Sequence, residues 1–178
     1  MKVRILFLIC FLSITCLLNA ADKPVIQIHT DNSSLIFRVA DNGRLYQSYL
    51  GKKLNHEADI SHLPQGTEAY ITHGMEDYFE PAIHILHNDG NPSLLLKYVS
   101  HETKAVSQGV NETIITLGDD KYPVTVKLHY VTYPAEDIIK TYTEISHKEK
   151  KPVVLHQYAS SMLHLNRAKY YLTEFSGD

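Results

Sequence analysis

Beyond its first twenty residues the chain is predicted to be all-β, an antiparallel two-sheet β-sandwich. Short segments rich in branched and aromatic residues alternate apolar with polar side chains, the period of a half-buried strand. Turn signals separate these segments, and almost none has the longer period of an amphipathic helix. Strands at this spacing without intervening helices are typical of a sandwich or barrel. The 178 residues suffice for one domain with a sizeable core.

The individual strands are predicted from this alternation and from the turns between them. The clearest hairpin joins residues 34–40 to 44–50 through Asp41-Asn42-Gly43, where glycine supplies a positive φ. Turns at 88–90, 118–120 and 134–137 separate later strands. One helical turn is predicted at 166–169. In order, the predicted strands cover residues 25–30, 34–40, 44–50, 82–87, 93–106 (one long strand or two short ones), 113–117, 123–133, 138–146, 153–165 and 170–175.

The longest irregular stretch is predicted at residues 52–74, which are mostly polar. Long loops on a rigid scaffold often carry functional side chains, although a plain surface excursion explains most single residues in them. Candidate binding residues are therefore expected in this stretch.

The first twenty residues have the pattern of a secretory signal peptide. Lys2 and Arg4 precede an apolar stretch at 5–18, and Ala20 provides the small residue before the cut. The apolar stretch is shorter than the roughly 20 residues of a transmembrane helix. We expect a secreted or periplasmic protein without a membrane anchor after cleavage. Lipidation at Cys16 is the alternative, which the preceding residues 13–15 fit poorly.

Composition excludes several classes of protein. The net charge is −3 with no block of like charge, so a nucleic-acid partner, which needs a basic stripe, is not expected. Cys10 and Cys16 both lie in the signal segment, so the mature chain has no disulfide. The 12 tyrosines suit strand surfaces, and their rings would also suit sugar binding.

Neither a metal site nor a catalytic nucleophile is predicted, and no cofactor is expected. His84 and His87 lie three residues apart in a strand, which places them on opposite faces. The other histidines lack the spacing of metal ligands. No G-x-S-x-G motif occurs. Asp119 and Asp120 form a pair of carboxylates, but they follow Gly118 in a tight turn and are interpreted as solvated turn residues.

A series of short motifs nevertheless occurs in a distinctive order. It begins at Asn32-Ser33-Ser34-Leu35-Ile36-Phe37-Arg38-Val39, Gly43-Arg44-Leu45 and Tyr49-Leu50-Gly51-Lys52, and continues with Met75-Glu76-Asp77-Tyr78-Phe79-Glu80-Pro81-Ala82, Leu96-Lys97-Tyr98-Val99-Ser100-His101, Leu128-His129-Tyr130, Asp137-Ile138-Ile139-Lys140-Thr141, Ala159-Ser160-Ser161-Met162-Leu163-His164-Leu165 and Ser176-Gly177-Asp178. In this order the motifs resemble the N-terminal domain of glycoside hydrolase family 36, the α-galactosidases.

The resemblance implies a β-sandwich of the supersandwich, galactose-mutarotase-like type, packed before a (β/α)₈ barrel and a small C-terminal β domain. It also implies hydrolysis of terminal α-galactosides with retention, by two barrel aspartates held roughly 5–5.5 Å apart. Neither aspartate's motif occurs in this sequence. Residues 21–178 are therefore expected to form a partial N-terminal domain without catalytic residues, whose galactoside substrate would bind through the absent barrel.

The resemblance also suggests where this domain would touch substrate. In the family, an acidic residue from the loop after the first hairpin can reach the galactose pocket, and Asp59, followed by Glu57, is the nearest candidate here. The family often has Asp-Phe-Arg where this chain has Asp77-Tyr78-Phe79. Asp77 is expected to hold a turn rather than contact substrate.

Two further functions remain open. A freestanding sugar-binding module would present two or three tyrosines in one cleft. A structural module would support a partner or an oligomer. Because an incomplete sandwich leaves strand edges uncovered, self-association into oligomers is expected.

Overall fold

The computed structural model describes residues 23–74 and 80–165. Four sequence predictions fall outside these ranges: the signal peptide, the turn role of Asp77, the helical turn at 166–169 and the strand at 170–175. Within the described ranges, no helix is both long and apolar enough to cross a membrane.

The described residues form ten strands and one short helix, nearly as the alternation predicts. In order these are β1 (Val25–His29), β2 (Ser33–Val39), β3 (Leu45–Lys52), α1 (Glu57–Ser61), β4 (Thr67–Glu68), β5 (Ile83–Leu86), β6 (Lys97–Ser107), β7 (Val110–Gly118), β8 (Val124–Tyr133), β9 (Ile138–His147) and β10 (Val154–Tyr158).

The strands build two four-stranded sheets and one strand pair. The first sheet has the order β1-β2-β3-β4, the second has the order β6-β7-β8-β9, and β5 pairs with β10. Every pair of neighbouring strands is antiparallel. The predicted all-β, antiparallel sandwich is confirmed.

The core lies between the inner faces of these sheets. Phe37 of β2 contacts Tyr130 of β8, with ring centroids 5.1 Å apart, and both side chains are buried. Alternate residues of β7 and β8 point into the same core, as the period of a strand requires. Burying rings and branched side chains at this interface is the main favourable term in folding.

Two of the predicted hairpin turns are confirmed by backbone hydrogen bonds in the structure. Gly43 has φ +79° and donates its N–H to the Ala40 carbonyl at 2.9 Å. Asp137 closes the β8–β9 turn by donating to the Pro134 carbonyl at 3.1 Å. These short turns fix the register of the hairpins that they join.

The stretch predicted to be irregular at 52–74 contains regular structure. It folds into α1 and the two-residue strand β4. Ile60 anchors α1 because its side chain is 4% exposed and the Arg38 guanidinium donates to its carbonyl oxygen. One buried residue in a five-residue helix gives no periodic signal, which explains why the sequence pattern missed it.

The strand predicted at 153–165 is shorter than expected. Only β10 of the predicted 153–165 is a strand, and residues 159–165 are irregular. There the Gln47 side chain takes the place of a neighbouring strand: its Nε2 donates to the His164 carbonyl at 2.7 Å, and its Oε1 accepts the His164 N–H at 3.1 Å. Similarly, the strand predicted from residue 93 begins only at Lys97.

Candidate functional site

Helix α1 carries both acidic residues predicted to contact substrate. Glu57 and Asp59 lie in its first turn and both are exposed. Residues two apart on a helix do not face each other, so the two carboxylates point in different directions. Buried Ile60 fixes the helix on the surface of the first sheet. A substrate contact from Asp59 or Glu57 stays a prediction.

The carboxylates at 119–120 lie in a turn, as predicted, but Asp119 is half-buried and hydrogen-bonded rather than simply solvated. Asp119 accepts the backbone N–H groups of Lys121 at 2.6 Å and Tyr122 at 2.8 Å with one oxygen, and that of Leu95 at 2.5 Å with the other. Asp120 pairs with Lys97. Because Asp119 is already bonded through both oxygens, these two residues hold the β7–β8 turn rather than form an acid–base pair.

A buried polar cluster lies on the outer face of the second sheet, and sequence reasoning missed it. We call it the Glu112 cluster: Glu112 of β7, His129 of β8, Tyr142 of β9 and Lys104 of β6. One Glu112 oxygen accepts from the Tyr142 hydroxyl at 2.6 Å and contacts His129 Nδ1 at 2.9 Å, and the other contacts Lys104 Nζ at 3.0 Å.

These contacts set the ionisation of the cluster. The hydrogen bond from Tyr142, then that from His129, lowers the pKa of Glu112 to about 2, against the opposing effect of burial. The same bond raises the pKa of Tyr142 to about 12. A carboxyl group this acidic is a fixed anion at neutral pH and cannot act as a general acid there.

An open groove of about 460 Å³ lies beside the Glu112 cluster. It is lined by Val106, Val131, Tyr133 and Lys140 together with Glu112 and Tyr142. The Tyr142 ring stacks on the His129 ring, with centroids 4.2 Å apart, and Lys140 Nζ lies over it at 6.0 Å, so these contacts are largely made within the fold. Tyr133 adds a second aromatic ring to the groove. Strand alternation alone could have placed each residue on the outer face, but the register that brings them together is not visible in the sequence.

Three histidine rings lie against one another near the β5–β10 pair. The His84 ring lies 3.8 Å from that of His73 and 4.8 Å from that of His156, centroid to centroid. Burial, then the neighbouring His73 and His156, lowers the pKa of His84. Within 23–74 and 80–165, no group of three or more metal-binding side chains is arranged to hold a metal ion.

His87 lies just beyond the end of β5, not within the strand as predicted, and belongs to a different buried cluster from His84. Its Nδ1 is 2.7 Å from a Glu149 oxygen, and its ring stacks on Tyr122 at 3.6 Å. Tyr122 also lines a second groove, of about 260 Å³, between the 73–74 and 93–95 segments. Lys121 lies over the Tyr122 ring, so these aromatic contacts are largely taken up within the fold.

Residues 27–178 match the family model of the glycosyl hydrolase family 36 N-terminal domain. The chain belongs to this family. The match covers the first hairpin, both sheets and the Glu112 cluster, and it confirms the resemblance carried by the sequence motifs. No curated protein matches this chain significantly.

Solved structures support the fold of this family 36 domain. The α-galactosidase of Lactobacillus brevis is 16% identical, with a TM-score of 0.66, over 78% of this chain and 23% of its own. The galactosidase domain of the α-galactosidase-sucrose kinase AgaSK is 20% identical, with a TM-score of 0.69, over 77% of this chain and 24% of its own.

A third similar structure is a substituted family 36 α-galactosidase AgaA from Geobacillus stearothermophilus in complex with raffinose. It is 18% identical, with a TM-score of 0.69, over 77% of this chain and 24% of its own. The family 36 chain thus spans about a quarter of the length of the solved relatives that it matches.

Proposed function

We propose that this chain is the non-catalytic N-terminal sandwich of a secreted α-galactosidase. In the complete enzyme, a barrel outside this chain would supply the two aspartates that hydrolyse terminal α-galactosides with retention. The single observation that carries the proposal is the family match over residues 27–178.

The bonding of the two carboxylates described above, Asp119 and Glu112, supports a non-catalytic role. Retaining hydrolysis needs one carboxylate as nucleophile and a second, of raised pKa, as acid. Asp119 is bonded to backbone N–H groups, and Glu112 is held ionised by Tyr142 and His129. Glu112 therefore cannot serve as the acid, and both oxygens of Asp119 are occupied in holding a turn.

Exposed apolar side chains support the presence of a covering domain. After β9 the chain exposes five large apolar side chains within twelve residues, each more than 40% accessible: Val154, Leu155, Tyr158, Leu163 and Leu165. Large exposed apolar side chains are enriched at interfaces. We expect the rest of the enzyme to cover some of them.

Sequencing the gene beyond the Asp178 codon tests the proposal. We expect the reading frame to continue into alternating strands and helices, with two aspartates at the carboxyl ends of barrel strands. A stop codon directly after Asp178 in the natural gene would contradict it.

The groove beside the Glu112 cluster favours a second candidate, a freestanding sugar-binding module. Tyr133 and Tyr142 both line it, and the Tyr142 ring also stacks on His129. Under this candidate, galactose or raffinose would change tyrosine fluorescence with a saturable dose response, and Tyr142→Ala would remove the change. Under the proposed scaffold role, millimolar sugar leaves the emission of both proteins unchanged.

A further inference from the structure

A buried histidine and a buried glutamate tie the link between β9 and β10 to the end of β5. His87 Nδ1 lies 2.7 Å from one oxygen of Glu149, and the two side chains are 0% and 2% exposed. Glu149 belongs to the link that precedes β10, and His87 directly follows β5, the strand with which β10 pairs. We call this contact the Glu149 clasp.

The hydrogen bonds of the Glu149 clasp require a charged pair. His87 Nε2 lies 3.0 Å from the Ser93 carbonyl oxygen, and because a carbonyl can only accept, Nε2 carries a proton. His87 Nδ1 faces a carboxylate, which also accepts. Both ring nitrogens donate only in the imidazolium form, so His87 is a cation paired with ionised Glu149.

Tyr122 covers this cation. Its ring stacks on the His87 ring with centroids 3.6 Å apart, a contact that favours a positive charge. The Tyr122 hydroxyl donates to Asp89 at 2.9 Å, and Lys121 Nζ lies 5.1 Å from the centre of the Tyr122 ring. These two charged groups therefore reach His87 through Tyr122, whereas Glu149 contacts it directly.

An added proton on Glu149 would find no acceptor among these neighbours. The second Glu149 oxygen accepts the Asn88 backbone N–H at 3.0 Å and also the Asn88 side-chain amide. Together with His87 Nδ1, all three groups bonded to the carboxylate are donors. A carboxylic acid would direct its O–H against one of them and leave the His87 cation without a counter-ion.

The other charges of the link act in the same direction. Residues 148–151 have the sequence Lys-Glu-Lys-Lys, and the three lysines are exposed. Once the Glu149 charge is neutralised, the link is wholly positive beside the His87 cation. Like charges then repel the link from the end of β5.

We propose that the Glu149 clasp is an acid-sensitive device: when Glu149 takes up a proton, the link detaches and the start of β10 comes away from β5. Burial raises the pKa of Glu149, but the bonds from His87 and Asn88 outweigh it and lower the pKa below the ordinary 4.5. The open form therefore binds the proton first, so the clasp is stable above pH 4.5 and weakens as the pH falls. The proposal does not depend on the α-galactosidase assignment.

Hydrogen exchange at a series of pH values tests the proposal. After correction for the intrinsic exchange rate, a peptide covering 148–158 should lose protection by up to about tenfold for each pH unit below 4.5, while the β2–β3 hairpin stays protected. In Glu149→Gln this peptide should be less protected at pH 6, and its protection should then stay constant as the pH falls.

Two further variants keep the test decisive. Asp89→Asn is the matched control, because it removes a neighbouring carboxylate that does not contact His87, and it should keep the parent's response to pH. Asn88→Ala removes one donor from an exposed residue and should move the loss of protection about half a pH unit higher. Constant protection of 148–158 in the parent, an unchanged response in Glu149→Gln or Asn88→Ala, or a hairpin that opens together with this peptide would overturn the proposal.

Discussion

Replacing Gly66 by alanine is expected to lower the free energy of unfolding by about 3 kcal/mol or more. Gly66 has φ +83°, and a Cβ atom there would overlap the Gln47 carbonyl group and the Ser48 Cα atom of β3. The backbone cannot move away freely, because the Ser48 hydroxyl donates to the Gln65 carbonyl at 2.9 Å. The change would therefore push β4 away from β3.

Gly90→Ala is the matched control for Gly66→Ala. Gly90 has the same φ of +83°, but a Cβ atom there would have no neighbour within 4 Å. Only the conformational cost remains, about 1 kcal/mol. Urea unfolding of both variants measures the difference. Equal losses of unfolding free energy in the two variants would show that the contact with β3 does not restrict the side chain at position 66.

Removing the Glu112 carboxylate is expected to cost about 2–3 kcal/mol. Glu112→Ala leaves His129 and Tyr142 buried or half-buried without their shared acceptor. Glu102→Ala is the control: this acidic residue lies on the neighbouring strand and is exposed. We expect its effect to stay within about 0.5 kcal/mol. Similar effects of the two changes in urea unfolding would contradict the account of the cluster.

The same carboxylate gives the stability a defined pH dependence. The pKa of Glu112 is about 2 in the folded chain, against 4.5 ordinarily. The unfolded chain therefore binds the proton first, so this contribution to stability is complete above pH 4.5 and is lost as the pH falls toward 2. The free energy of unfolding, measured at intervals of pH, should therefore fall less between pH 4.5 and 2 in Glu112→Gln than in the parent protein. Parallel profiles for the two proteins would contradict this assignment.

Local patterns predicted those parts of the fold that depend on neighbouring residues. The β2–β3 hairpin follows from alternation on both sides of a turn with Gly43 at positive φ. The Asp119 turn follows because a carboxylate after glycine can accept nearby backbone N–H groups. Each of these signals lies within about ten residues of chain.

The parts that were missed depend on contacts between distant residues. Helix α1 exists because Ile60 meets Arg38 across 22 positions, and residues 159–165 leave the strand because Gln47 binds His164 across 117 positions. The Glu112 cluster needs the register of four strands at once. Composition and periodicity carry none of this information.

The central claim, that this chain is a scaffold without bond-cleaving chemistry of its own, is tested most directly by turnover of an aryl α-galactoside. The purified chain should release no aryl alcohol above the buffer rate, while a complete family 36 α-galactosidase assayed beside it releases it readily. Sustained release that scales with the concentration of this chain, and that survives removal of contaminating hydrolases, would contradict the claim.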